Sequence, residues 1–246
     1  MTRKVVAWLM KRETPKWFLA GAAVLVLGGA WLFLGILEDV VTGDPLVQVD
    51  LLVHDIVRGL RTADVDRFFV AVTGLGDVQV VGLVSVVVLL WFLGHRYWLA
   101  AGYWLFAIGV AEGLVKVIKL ALNRPRPDAL YAGAEQLSFP SGHATLSVVV
   151  YGFLAVLLAE QASNRLRLVI VSAAALLVGG IALSRIYLGA HWMSDVVAGL
   201  SFGSAWVAAL SIDYLYRRRA AFPTGGLAVV ALATLVTAAA IHLARP

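Results

Sequence analysis

Long uninterrupted runs of apolar residues recur along this chain, and short polar segments separate them. Seven runs are close to the roughly 20 residues that a helix needs to cross about 30 Å of hydrocarbon. Because the runs are continuous and do not alternate, they exclude a membrane barrel and predict an all-α, polytopic membrane helix bundle. The predicted spans are residues 17–37, 77–94, 98–118, 143–160, 168–184, 192–212 and 226–243.

The one long connection between runs extends from Glu38 to Asp77 and mixes acidic residues with apolar ones. Its apolar residues include Leu51, Leu52, Ile56, Val57 and Leu60. This mixture is typical of amphipathic helices that lie in a membrane interface. We therefore predict short external amphipathic helices here. We also hypothesise that they form a lid over the outer end of the bundle.

The composition excludes a water-soluble domain. Apolar residues make up 61% of the 246 residues and charged residues only 14%, against about 25% charged residues in soluble domains. There is no cysteine, which excludes disulfides, thiolate metal ligands and cysteine nucleophiles. In a membrane chain the net charge of +5 bears on orientation and on anionic lipid headgroups rather than on nucleic acid.

The distribution of basic residues orients the chain. The first run follows five basic residues and is too long for a cleaved secretory signal, so we predict an uncleaved anchor with the N-terminus in the cytosol. In this orientation a group of basic residues lies at the outer ends of the third and fifth spans, where the topology rule favours none, which indicates a function. The group contains Lys116, Lys119, Arg124, Arg126 and Arg185.

The first polar segment on the outer side carries Lys119, Arg124 and Arg126, and Pro125 and Pro127 end its helix. A guanidinium presents a fork of donors that matches phosphate oxygens, and lysine adds a mobile point charge. The segment therefore suits a phosphoryl group. Taken alone, it fits a basic rim that binds anionic headgroups equally well.

The second segment, Pro140-Ser141-Gly142-His143, stands immediately before the fourth run, so Ser141 and Gly142 lie at a helix N-terminus. N–H groups without intrahelical partners and the helix dipole attract anions there. His143 follows in the first turn, where it is placed to donate a proton. The alternative is an ordinary N-cap with an interfacial histidine.

The third segment runs from Ser184-Arg185 to His191 and Asp195. His191 and Asp195 are separated by one helical turn, so the carboxylate can hold one imidazole N–H and leave the other nitrogen basic. Arg185 adds a second fork of donors. A structural His–Asp pair is the alternative, but it leaves Arg185 unexplained.

With seven spans, all three segments emerge on one side, and we predict that they converge. Lys-x6-Arg-Pro, Pro-Ser-Gly-His and Ser-Arg-x5-His resemble the three signature motifs of the type 2 phosphatidic acid phosphatase superfamily. The resemblance implies a six-helix phosphatase core over about residues 17–213. Residues 226–243 are then an additional C-terminal span within a single membrane domain of residues 1–246.

The resemblance also implies roles for individual residues. His191 is the expected nucleophile, Asp195 orients its ring, and His143 protonates the leaving oxygen and then activates water. No metal or other cofactor is implied. We assign Arg124, which lies outside the strict motif, to substrate approach. The residues expected to bind phosphate are Lys119, Arg126, Ser141, Gly142 and Arg185.

These expectations describe a multi-pass phosphatase of the plasma or inner membrane whose active site faces outward, towards the periplasm. Its expected partners are membrane lipids, and its expected substrate is a lipid phosphate or pyrophosphate, with undecaprenyl pyrophosphate as the leading candidate. Phosphatidylglycerophosphate and phosphatidic acid are the alternatives, because the motifs bind only the phosphoryl group that all three share. Two rival interpretations remain: a non-catalytic binder or transporter of anionic lipids, and a vanadate-dependent haloperoxidase, although those enzymes are soluble.

Overall fold

The computed structural model describes residues 16–43, 45–128, 136–217 and 222–244, and the side chains of these ranges from residue 19 onward. Ten α-helices and one short π-helical segment fill these ranges, which contain no strand. The helices are α1 (Lys16–Thr42), α2 (Pro45–Gly59), α3 (Ala63–Gly74), α4 (Val78–Gly94), α5 (Trp98–Leu122), α6 (Gly142–Ser147), α7 (Phe153–Ala159), α8 (Asn164–Tyr187), α9 (Met193–Arg217) and α10 (Thr224–Leu243). The π-helical segment, Val148–Gly152, joins α6 to α7 without a break.

The predicted all-α fold class is confirmed, and helix covers nearly all of each predicted span. Six stretches are long and apolar enough to cross a membrane, and one of them runs through both α3 and α4. The third predicted span, residues 98–118, forms helix α5 but is not among these six stretches. Its C-terminal part is polar, because Glu112 pairs with Lys116 at 2.9 Å and Lys119 follows one turn later. Some of the basic residues on which the predicted orientation depends lie outside the described residues. They are those before residue 16, together with Arg218 and Arg219.

Helix α9 lies at the centre of the bundle and packs against α1, α5, α6 and α8. Its glycines allow close approach. A Cβ atom on Gly199 would lie 2.8 Å from the carbonyl oxygen of Ser141, and one on Gly203 would lie 2.9 Å from Val148. These two glycines therefore allow the start of α6 to lie directly against α9, which brings the second motif to the third.

Helix α2 buries Asp50 against the bundle and exposes several apolar residues. Asp50 is 1% exposed, whereas Leu51, Leu52 and Ile56 are more than half exposed. The short helices predicted between Glu38 and Asp77 are present as α2 and α3, after α1 ends at Thr42. The apolar stripe is directed away from the protein, as expected where the surrounding solvent is lipid.

A cavity of about 860 Å³ opens between α1, α7, α8 and α9. Small and aliphatic residues line it, among them Gly21, Gly152, Gly179 and Val207. It begins at Val148, seven residues beyond Ser141, which corresponds to about 10 Å of helical rise. The cavity therefore lies within the apolar part of the bundle, below the end that carries the three motifs.

Candidate active site

His191 lies in the short connection between α8 and α9 and is 2% exposed. Its Nδ1 is 3.4 Å from Oδ2 of Asp195, in the first turn of α9. The same oxygen accepts a hydrogen bond of 3.0 Å from the backbone N–H of Trp192. The predicted pair is thus formed, and the loop backbone helps to hold the carboxylate against the ring.

Arg126 contacts the other nitrogen of this imidazole. Its Nη1 lies 2.8 Å from Nε2 of His191 and 2.6 Å from the carbonyl oxygen of Ala190. A guanidinium has only donors, so Nε2 must be the acceptor and Nδ1 carries the hydrogen that faces Asp195. The basic lone pair of Nε2 therefore points towards Arg126, one of the residues predicted to bind phosphate.

Lys119 stands in the last turn of α5 and points towards the segment that precedes the second motif. Its Nζ donates to the carbonyl oxygens of Leu137 and Ser138, at 2.6 and 3.1 Å. These bonds hold the ammonium group beside the other cations of the site. Lysine retains rotational freedom about its stem, so the group can turn towards an incoming anion.

Arg185 stands in the last turn of α8 and is 3% exposed. Its Nη1 donates to Oγ1 of Thr73, at 2.9 Å, near the end of α3. The neighbouring Tyr187 also contacts this helix, because its ring stacks on Phe69 with centroids 4.3 Å apart. Helix α3 therefore braces the third motif from the side.

Ser141 caps the helix that carries His143. Its Oγ accepts from the N–H of Ala144 at 3.4 Å, while its own N–H donates to the main-chain oxygen of Asp195 at 3.0 Å. That N–H is directed to the start of α9 and not into the site, in contrast to the backbone contribution expected for Ser141. Gly142 and His143 follow at the helix start, where both are partly exposed.

Arg124 is engaged with two carboxylates. Its Nη1 donates to Oδ1 of Asp195 at 2.5 Å and to Oγ of Ser194 at 2.8 Å, and its Nη2 donates to Oδ2 of Asp50 at 2.7 Å. Its side chain is 11% exposed. The substrate-approach role assigned from the sequence stays a prediction. The observed contacts place the guanidinium behind the His191–Asp195 pair.

The charges of the site favour a dianion. Four cationic side chains face two buried carboxylates, which leaves a net charge of about +2 on the described side chains when both histidines are neutral. The cations are Lys119, Arg124, Arg126 and Arg185, and the carboxylates are Asp50 and Asp195.

Burial, together with the positive charges of Arg126, Arg185 and Lys119, holds the pKa of His191 well below its usual value. The imidazole is therefore neutral at neutral pH, the state in which it can act as a nucleophile.

Sequence reasoning missed three residues of this site: Asp50, Thr73 and Ser194. Asp50 and Thr73 come from helices α2 and α3, which appeared from the sequence to be only a surface segment. A signal was present in the case of Asp50, because His54 follows it by one turn. The two polar residues lie together, opposite the apolar stripe of α2.

Comparison with known proteins shows which family the sequence around this site is similar to. Residues 100–219 match the sequence model of the PAP2 superfamily. This matched stretch covers just under half of the chain. It contains all three motifs, and the recognition made from them is confirmed.

Parts of the chain are similar to several curated phosphatases. Phosphatidylglycerophosphatase B of Bacillus subtilis is 35% identical over 105 residues, which cover 40% of this chain and 50% of that protein. Decaprenylphosphoryl-5-phosphoribose phosphatase of Mycobacterium tuberculosis is 40% identical over 115 residues, covering 45% and 57%. Lipid A 1-phosphatase of Rhizobium etli is 29% identical over 194 residues, covering 67% and 78%. The chain thus spans about half the length of the first two relatives.

Most of the bundle resembles a solved structure in its fold. The crystal structure of a transmembrane PAP2-type phosphatidylglycerolphosphate phosphatase from Bacillus subtilis superposes with a TM-score of 0.68. The two chains are 24% identical, and the match covers 78% of this chain and 98% of the other. This likeness confirms the fold. Together with the six apolar stretches it identifies a multi-pass membrane protein.

Proposed function

We propose that this PAP2 protein is a membrane lipid phosphatase that transfers the phosphoryl group of its substrate to His191 and then to water. The observation that carries the proposal is the position of Nε2 of His191. This atom is held unprotonated beside the Arg126 guanidinium, while Nδ1 faces Asp195. A buried, neutral and oriented imidazole next to an anion-binding cation is suited to in-line attack on phosphorus.

In the first step Arg126 turns from Nε2 of His191 to the phosphate oxygens. The freed lone pair of Nε2 then forms a bond to phosphorus as the bond from phosphorus to the lipid oxygen breaks. Arg126, Arg185 and Lys119 neutralise the charge on the equatorial oxygens, which is the main contribution of a protein to phosphoryl transfer. His143, which takes up a proton once the phosphate dianion neutralises the surrounding cations, gives that proton to the departing oxygen. Asp195 stabilises the positive charge that the ring of His191 acquires.

In the second step a water molecule attacks the phosphohistidine. His143, now lacking its proton, takes one from that water, and the nitrogen–phosphorus bond breaks to release inorganic phosphate. The neutral ring of His191 and the protonated His143 are then restored. The cations of the site hold the phosphoryl group throughout, and no metal ion takes part in the proposed steps.

A lipid is the proposed substrate because the site stands at the end of an apolar bundle with the 860 Å³ cavity below it. A phosphate at the start of α6 would allow a hydrocarbon chain to run along that helix towards Val148, where the cavity begins. A water-soluble sugar phosphate would leave this cavity unused. We propose that the chain of the lipid occupies it.

Among lipid phosphates we favour undecaprenyl pyrophosphate. The external site and the short loops predicted from the sequence suit a carrier that has no large headgroup beyond its phosphates. The name of the decaprenylphosphoryl phosphatase from Mycobacterium tuberculosis supports a polyprenyl carrier. The name of phosphatidylglycerophosphatase B supports phosphatidylglycerophosphate as the second candidate.

A substrate panel tests the proposal. Purified full-length protein in detergent micelles with excess chelator is offered undecaprenyl pyrophosphate, phosphatidylglycerophosphate and phosphatidic acid, and released phosphate is measured. We expect turnover in chelator, fastest with the polyprenyl substrate. Turnover that is fastest with phosphatidylglycerophosphate would move the assignment to the second candidate. Binding of all three lipids without any phosphate release would identify a non-catalytic lipid binder.

The nucleophile is tested separately by His191→Ala. We expect phosphate release to fall at least about a thousandfold and acid-labile labelling by a ³²P-phosphorylated substrate to disappear, while size-exclusion behaviour is unchanged. His95→Ala is the matched control, because His95 is exposed at the end of α4. Undiminished turnover in His191→Ala would reject the mechanism.

A further inference from the structure

We propose that Asp50, on the peripheral helix α2, is a positioning residue for the nucleophile and acts through Arg124 on Asp195. The inference deepens the proposed function and rests on it. It assigns a role in catalysis to a helix that lies outside the PAP2 region of residues 100–219 and outside all three motifs.

The contacts form a continuous chain. Asp50 Oδ2 accepts from Nη2 of Arg124 at 2.7 Å, Nη1 of Arg124 donates to Oδ1 of Asp195 at 2.5 Å, and Oδ2 of Asp195 faces Nδ1 of His191 at 3.4 Å. The guanidinium uses a separate nitrogen for each carboxylate. A single planar group therefore sets the distance between α2 and the first turn of α9.

Asp50 also fixes the start of α9 directly. Its Oδ1 accepts from the backbone N–H of Ser194 at 2.8 Å, and its Oδ2 accepts from the hydroxyl of the same residue at 2.5 Å. A carboxylate at a helix N-terminus satisfies N–H groups that have no intrahelical partner. The helix carries Asp195 one residue further on, so the two sets of contacts place the same side chain.

Burial makes this arrangement sensitive to charge. The side chains of Asp50 and Asp195 are 1% and 0% exposed, and that of Arg124 is 11% exposed. Two buried carboxylates on one guanidinium share its positive charge. When asparagine replaces Asp50, the charge of Arg124 acts on Asp195 alone. Asp195 then becomes a weaker acceptor for the N–H of His191.

The consequence for the reaction is specific. The ring of His191 becomes positively charged in the phosphohistidine, and Asp195 stabilises that charge only if it is aligned with Nδ1. The phosphate itself is bound by other groups, namely Lys119, Arg126 and Arg185. Loss of Asp50 should therefore lower kcat and leave KM nearly unchanged.

Asp50→Asn is the primary variant, and Asp55→Asn is its matched control, because Asp55 is an exposed carboxylate on the same helix. With phosphatidic acid in micelles as the probe, we expect kcat of Asp50→Asn to fall about tenfold to hundredfold, the usual effect of removing a partner that orients a catalytic ligand. KM should change less than threefold. The control should match the unsubstituted protein in both constants.

A double variant tests whether Asp50 acts through Arg124. Arg124→Lys keeps the positive charge but loses the planar fork that reaches both carboxylates. Once Arg124→Lys is present, adding Asp50→Asn should lower kcat by a smaller factor than it does in the unsubstituted protein, because only the contacts with Ser194 are left to lose. Multiplying losses would show two independent effects and would overturn the inference.

NMR spectroscopy of the His191 ring tests the role of Asp50 even if the protein hydrolyses none of the lipids tested. The chain has only five histidines, so ¹⁵N-histidine labelling resolves the ring nitrogens, and His191→Ala identifies the signals of His191. We expect Asp50→Asn to shift these signals and Asp55→Asn to leave them in place. If Asp50→Asn does not fold, Ser194→Ala, which removes one of the contacts of Asp50, should shift the same signals by a smaller amount. Unchanged His191 signals in every folded variant would reject the relay.

Discussion

At the scale of single residues, the protonation state of His191 decides whether the site can work. Burial and the charges of Arg126, Arg185 and Lys119 lower the pKa of His191, so the ring stays neutral at and below pH 6.5, where an ordinary histidine gains a proton. A neutral ring has a nucleophilic lone pair on Nε2, and the same cations attract the phosphate. The proposed site can thus attract an anion without protonating its proposed nucleophile.

The sign of this effect gives a prediction. Arg126→Gln removes the largest of the charge effects on His191, so the pKa of His191 should rise towards about 6.5. The titration of the His191 ring signals in ¹⁵N-histidine-labelled protein measures it, with Arg67→Gln on the exposed surface as control. A titration midpoint that stays constant or falls in Arg126→Gln would contradict the assignment of Arg126 as a cause.

At the scale of elements, α2 and α3 hold the segment that carries the third motif. Asp50 contacts Ser194, His54 packs edge-on against Trp192, and Tyr187 stacks on Phe69. The lid predicted for the segment from Glu38 to Asp77 stays a prediction. The contacts indicate that the two helices also act as a brace for the site.

This bracing predicts a defect in anion binding for Thr73→Val. The substitution keeps the shape of the side chain and removes the acceptor for Arg185, at 2.9 Å. A hydrogen bond to a charged group is worth about 1.5 to 3 kcal/mol, so the inhibition constant of inorganic phosphate should rise about tenfold. Thr234→Val, on α10 and away from the site, is the control and should change nothing. Equal inhibition constants for Thr73→Val and the unsubstituted protein would show that α3 does not contribute to phosphate binding.

At the scale of the whole molecule, the proposed lipid substrate has its phosphate at the polar end of the bundle and its hydrocarbon chain in the apolar cavity. Gly21→Leu places a side chain at the cavity wall, where a Cβ has no heavy atom within 4 Å. Displacing two methylenes of a bound chain costs about 1.6 kcal/mol, so KM should rise about tenfold for a long-chain lipid phosphate and stay constant for an eight-carbon analogue.

The matched control for the cavity is Gly28→Leu. Gly28 lies on the same helix and also has no neighbour within 4 Å of a Cβ, but it does not line the cavity. Its KM for both substrates should equal that of the unsubstituted protein. An equal rise in KM for long and short chains in Gly21→Leu would show that the cavity does not hold the chain.

The predicted orientation of the molecule is tested with single cysteines, because the chain has none of its own. Gly59→Cys marks the end of α2 on the side of the site, and Asn164→Cys marks the start of α8 on the opposite side. In spheroplasts of a bacterial host, a membrane-impermeant maleimide should label Gly59→Cys strongly and Asn164→Cys only after lysis. The reverse pattern would place the active site in the cytosol.

The amino-acid sequence by itself determined the helices and the chemistry of the site. An apolar run of span length must be helical in lipid, and the side chains of Lys119, Arg126, His143 and His191 carry their donor and acceptor properties in any fold. The spacing of four residues between His191 and Asp195 predicted their pairing, which the structure contains, although His191 lies in the connection before α9 and not on that helix.

Only the tertiary structure decided which polar groups of α2 and α3 meet the motifs. Asp50 is separated from Ser194 by 144 positions, and no local spacing predicts a contact over that distance. The direction of the apolar stripe on α2 was also open, because an interfacial helix is surrounded by lipid on one side and by protein on the other. Because the solvent on the outer side is lipid, Leu51, Leu52 and Ile56 are exposed to it. Asp50 is buried against the protein.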